Sequence, residues 1–108
     1  MTDDNRYERI ITSIAGVAAM KVSGVASLSS VSGMAGKKSQ KRQPKSVLVT
    51  IVGKDIVSID IYVNAFSGVS VPDLAYDIQQ CVCSEVESAT KFKVKAVNIN
   101  VAGIIFNQ

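Results

Sequence analysis

The chain has 108 residues, 47% hydrophobic and 19% charged, with a formal net charge of +3. That length and balance describe one globular domain, spanning residues 1–108, that buries roughly two-thirds of its unfolded surface, and they exclude bulk disorder. Histidine and tryptophan are absent, which removes the usual neutral-pH base and the commonest metal ligand, so neither an enzyme nor a cofactor or metal site is expected.

From Ile10 to Gly36 the only charge is Lys21. Thr12, Ser13, Ser23, Ser27 and further serines interrupt the apolar residues, so no run approaches the roughly 20 needed to cross a bilayer. Asp3 and Asp4 stand where a signal peptide would be positive. Ile10, Ile14, Val17, Ala18 and Val22 have the spacing of one helix face, with Asp3 or Asp4 capping its start and Gly24 ending it. Gly16 would cost about 1 kcal/mol in an exposed helix interior, so it is expected to permit a close approach to the sheet or the second helix.

Residues 23–45 are rich in serine, glycine and lysine and are expected to form a flexible connection, with a helical turn around Leu28 to Met34. Lys37, Lys38, Lys41, Arg42 and Lys45 crowd one end of it; without them the acidic residues outnumber the basic ones. Such a run is usually a solvated loop, and its alternative is contact with phosphates of lipid or nucleic acid. Gly33-Met34-Ala35-Gly36-Lys37-Lys38-Ser39 is not a phosphate-binding Walker loop, since Val31 occupies a required glycine position and Pro44 replaces the following helix. Gly33 and Gly36 also match the clamp of a KH domain, but the expected preceding strand and following helix are missing.

Ordered structure is expected to resume at Ser46. Val47, Val49 and Ile51 alternate against Leu48, Thr50 and Val52, and Gly53-Lys54 offers a two-residue turn. Val57, Ile59, Ile61 and Val63 then alternate with Ser58, Asp60, Tyr62 and Asn64 in a second strand. Beyond Gly68 and Pro72 the period changes: Leu74, Ile78, Val82 and Val86 recur every fourth residue, with Ala75 and Ala89 beside them, as the stripe of an amphipathic helix. Val97, Ile99 and Val101 alternate with Asn98 and Asn100 in a last strand. The predicted fold is α+β, a two-layer sandwich in the order α-β-β-α-β: a three-stranded mixed sheet with both helices on one face. The other face would carry Thr50, Ser58, Asp60, Tyr62, Asn64, Asn98 and Asn100. This row suits either water or a protein partner.

Cys81 and Cys83 lie two apart on the second helix and point in nearly opposite directions, so they can neither bridge each other nor share a metal. Cys81 is expected at the border of the core and Cys83 as an exposed thiol near Tyr76; free thiols favour a reducing compartment. Asp73 and Asp77 are expected outward in the first turns of that helix, where they complement its dipole. Glu85 lies nearer the stripe and would need a partner if buried.

Ile14-Ala15 with Ala18-Ala19 and Gly24-Val25, Val57-Ser58-Ile59-Asp60-Ile61 with Gly68 and Pro72, and Gln79, Val82, Val86-Glu87 leading to Val97-Asn98-Ile99-Asn100-Val101 and Gly103 occur in an order that resembles the alkaline shock protein family of Gram-positive bacteria. The resemblance spans Ile10 to Phe106. It departs from the family in lacking the short strand that commonly precedes the first helix, which would expose a sheet edge. It also has Lys91 where a glycine is usual before Phe92, which should alter only the helix exit.

The resemblance implies a non-enzymatic cytoplasmic protein of cell-envelope homeostasis or stress response. Such a protein associates with itself and docks to a membrane-anchored partner, and Tyr62, Asn64, Asn98 and Asn100 are the candidate contact residues. The alternative it leaves is a regulator of a fatty-acid or lipid-synthesis enzyme, or a binder of the anionic membrane or RNA through Lys37, Lys38, Lys41, Arg42 and Lys45.

Overall fold

In a computed structural model, which describes residues 2–29 and 46–106, two helices cover one face of a four-stranded mixed sheet. The elements in chain order are α1 (Thr2–Met20), β1 (Val25–Leu28), β2 (Val47–Gly53), β3 (Ile56–Phe66), α2 (Val71–Ala89) and β4 (Lys93–Ile105). β3 is central. β4 runs parallel along one side of it, reached through α2. On the other side β2 pairs antiparallel with Ile56–Ile61, and β1 pairs antiparallel with Val63–Ala65.

The sheet therefore has four strands, one more than the periodicity predicts. β1 falls within the stretch read as a flexible connection, where Val-Ala-Ser-Leu is too short to show a period of two. It forms because Gly24, at φ +104, turns the chain sharply after α1 and lays Val25 opposite Ala65. At Tyr62 the two short strands meet: its carbonyl accepts from the Ser29 N–H at 2.8 Å, and its N–H donates to the Ser46 carbonyl at 2.9 Å. Ser29 and Ser46 together do what one residue of a continuous strand would do. β1 and β2 are thus two halves of one line of pairing along β3, the first ending at Ser29 and the second beginning at Ser46. The helical turn read around Leu28 to Met34 meets strand at Leu28 and a strand-like bond to Tyr62 at Ser29, and from residue 30 on lies outside the described residues.

The core is Val57, Ile59, Ile61, Val63 and Ala65 of β3, all fully buried, beneath Leu74, Ile78, Val82 and Val86 of α2. Both stripes follow the expected periodicities. The buried face of α1 follows only in part: Ala18 is buried and Ile14 and Val22 pack against the core, but the face centres on Ile11, Ala15, Ala18 and Ala19, whereas Ile10 and Val17 are exposed at 42% and 59%. The alanines let α1 approach the sheet and α2 closely, and that gain outweighs burial of the larger side chains. The helix begins at Thr2, so Asp3 and Asp4 lie within its first turn. Tyr7 anchors this end on buried Phe92, with ring centroids 5.3 Å apart.

The β2–β3 turn is Lys54–Asp55, one residue later than expected, with Asp55 at φ 60. Aspartate is among the few non-glycine residues that tolerate this region. Lys91 needs no positive φ at the helix exit; its ammonium lies 3.7 Å from Asp55 Oδ1 and 5.4 Å from the Tyr7 ring centroid. Gly16 faces Leu28 and Val47, but a methyl group there would sit 3.6 Å and 3.8 Å away, in ordinary contact. Close approach therefore does not require glycine at this position.

Candidate functional site

The face of the sheet away from the helices is built by strand parity. With Val57, Ile59, Ile61 and Val63 turned into the core, Ser58, Asp60, Tyr62 and Asn64 must project the other way. Register brings the rest of the row to them: Asp60 stands opposite Asn98 and Tyr62 opposite Asn100 on β4, while Ser58 faces Thr50 across β2. Tyr62, Asn64, Asn98 and Asn100 thus share one face, which no element among the described residues covers. Asn98 donates from Nδ2 to Asp60 Oδ1 at 2.9 Å, and Asn64 donates from Nδ2 to Ser27 Oγ at 3.1 Å.

Ser27 and Gly103 belong to this surface too, a place the sequence reading did not assign to them. Ser27 joins through β1, whose existence periodicity could not reveal. Gly103 stands opposite Asn64, and a Cβ there would lie 2.9 Å from Asn64 Oδ1; the signal was a glycine within a strand, among Val101, Ala102, Ile104 and Ile105. Phe66 and Ile105, also paired, extend the face into an apolar end, beyond which Phe106 is 76% exposed. Lys37, Lys38, Lys41, Arg42 and Lys45 lie outside the described residues.

α2 is fastened over β4 from beneath this face. Gln79 Nε2 donates to the Val97 carbonyl at 2.9 Å, and the Val94 N–H donates to Glu87 Oε2 at 2.8 Å. Glu85 is not buried, and it pairs with Lys21 at 3.3 Å in an exposed contact between α2 and the residue after α1. Asp73 and Asp77 point outward. The Cys81 thiol donates to the Ala18 carbonyl at 3.4 Å at the border of the core. Cys83 is half-buried rather than exposed; burial, then the charge and hydrogen bond of Glu87, push its thiol above its ordinary pKa, with Lys93 opposing. Among the described residues no three His, Cys, Asp or Glu side chains gather as a metal site, and no helix is long and apolar enough to cross a membrane.

The described residues define a two-layer α+β domain with one helix-covered and one open sheet face. The chain belongs to the alkaline shock protein 23 family, described as having a cell envelope-related function, whose profile matches residues 5–106. None of the curated proteins matches the sequence. Among solved structures it is similar to variants of the MamM CTD. The manganese form of one has 14% identity and a TM-score of 0.52, covering 88% of this chain and 96% of that one. The nickel form of another has the same values. A third variant has 15% identity, a TM-score of 0.52 and coverage of 88% and 93%. At such identities the likeness concerns the fold alone.

Proposed function

We propose that the protein is a non-enzymatic adaptor of the cell envelope that associates with itself and docks to a membrane-anchored protein through its open sheet face. The observation that carries this reading is the asymmetry of the sheet: among the described residues the helices lie on one side, while the other presents Tyr62, Asn64, Asn98 and Asn100 in register. Two of the asparagines are held by hydrogen bonds to Asp60 and Ser27, so little side-chain entropy remains to be lost on contact. Tyrosine at the centre offers a large rigid surface with a polar tip, the kind of residue that anchors protein interfaces. A cell envelope-related family is consistent with a scaffold of this kind, held near the membrane by its partner.

The test is sedimentation velocity together with partner capture from membranes, using the wild type and the Tyr62→Ala and Asn98→Ala variants. Weaker self-association and weaker capture by folded variants are expected. Unchanged behaviour in both assays would remove this face from the mechanism.

A further inference from the structure

From Ala96 to Ile105 β4 carries no charge and no proline, and Val97, Ile99, Val101, Ile104 and Ile105 are β-branched. A strand of that composition at the side of a sheet is a template for adding a further strand. Bulges and lysines protect its ends: Lys95 and Ala102 have no opposite number on β3, and Lys93 and Lys95 stand at its start. Between the bulges, the pairs from Ala96 to Val101 are regular.

The phase of the sheet fixes which groups of that stretch face outward. The Tyr62 N–H donates to Ser46, so Ser58, Asp60 and Tyr62 direct their backbone groups to the β2 side, and Ile59, Ile61 and Val63 direct theirs to β4. Ala96, Asn98 and Asn100 receive those bonds, which leaves the N–H and C=O of Val97, Ile99 and Val101 on the outer edge. Val94 faces outward too, since the Lys93 N–H beside it donates to Asp55 on the β3 side.

α2 reaches two of these outward positions. Gln79 Nε2 donates to the Val97 carbonyl at 2.9 Å, and Glu87 Oε2 accepts from the Val94 N–H at 2.8 Å. The two side chains are about 12 Å apart along the helix, and their targets about 10 Å apart along the strand, so one flank of α2 serves both. Anchoring the helix does not require these bonds, because Leu74, Ile78, Val82 and Val86 already bury its other flank on the core. What the bonds do is occupy backbone groups that an added strand would need.

We infer that Gln79 and Glu87 guard the edge of β4, holding it closed to strand addition by a second copy of this chain. The inference concerns an edge that the open-face reading does not use. A second copy is the strand to be kept out, because two β4 strands paired antiparallel about Ile99 oppose Lys93 and Lys95 to Ile105 and Gly103 rather than to each other, and so meet no like charges.

The test compares the wild type with the Gln79→Ala/Glu87→Ala double variant by sedimentation velocity and by NMR hydrogen exchange, with circular dichroism as the check on folding. In the wild-type monomer the Ile99 and Val101 amides should exchange freely. In the double variant the Val94 amide should exchange about tenfold faster. That variant should also associate at about tenfold lower concentration, with Ile99 and Val101 becoming protected as it does. Glu87→Gln keeps an acceptor for the Val94 N–H and should behave as the wild type. Should the double variant not fold, Gln79→Ala alone carries the association and protection readouts.

A folded double variant that associates no more readily than the wild type overturns the inference. So does association that leaves Ile99 and Val101 unprotected, or a wild-type monomer in which these two amides are already protected. A Glu87→Gln variant that associates as readily as the double variant overturns it too. If adding Tyr62→Ala to the double variant abolishes the new association, that association runs through the open face and the guard is refuted while the open-face reading stands. Association that survives Tyr62→Ala and protects Ile99 and Val101 supports the guard.

Discussion

Asn98 on β4 donates to Asp60 on β3 at 2.9 Å, directly across the parallel pair. The bond is exposed, so it contributes little more than about 0.5–1.5 kcal/mol to folding, but it holds the amide in the plane of the open face. Asn98→Ala should lower the melting temperature by only a few degrees while weakening partner capture more than its stability cost explains. A parallel loss of both would mark the residue as merely structural.

Asn64 and Gly103 make the same point at the other end of the row. Gly103→Ala brings a methyl group 2.9 Å from Asn64 Oδ1, so the amide must leave Ser27. The expected cost is about 1 kcal/mol, with a shift of the Asn64 side-chain NH₂ signals in NMR spectra. Unmoved signals would show that the backbone, rather than the side chain, gives way.

Two glycines should respond in opposite senses to alanine. Gly16 sits inside α1 with ordinary space around it, so Gly16→Ala should stabilise by up to about 1 kcal/mol. Gly24, at φ +104 and with a would-be Cβ 3.1 Å from Leu74 Cδ1, should lose about 1–2 kcal/mol or more. Urea unfolding of both variants measures the signs directly.

Ile78 is fully buried between α2 and the sheet, and truncation removes both its transfer free energy and its packing. Ile78→Ala should cost about 2–5 kcal/mol. Ile10→Ala, in a residue the periodicity assigned to the core but the structure exposes, should change stability by less than about 1 kcal/mol. Similar losses at the two positions would reverse the assignment of the α1 face.

Cys83 should alkylate slowly at neutral pH. Burial and the Glu87 carboxylate disfavour its thiolate, the reactive form, so the rate should climb only as pH rises above the range of a free cysteine. In a Cys81→Ala background, Glu87→Gln removes a negative charge and should lower the thiol pKa and speed iodoacetamide reaction several-fold at pH 7.5. Identical rates would assign the shift to burial alone.

The sequence by itself determined whatever depends on periodicity. The α2 stripe of Leu74, Ile78, Val82 and Val86, the inward parity of Val57, Ile59 and Ile61, and the outward parity of Tyr62 and Asn98 are all local, because side-chain direction follows from backbone geometry. Tertiary structure decided three other things. It chose the alanine face of α1 over the bulkier one, because close packing against a sheet and a second helix rewards small residues. It recruited Val25–Leu28 as a strand, because four residues gain ladder bonds only where β3 extends beyond the end of β2. It also brought Gln79 and Glu87 of α2 against the backbone of β4, a juxtaposition that no local pattern encodes because it is set by where α2 lies across the sheet.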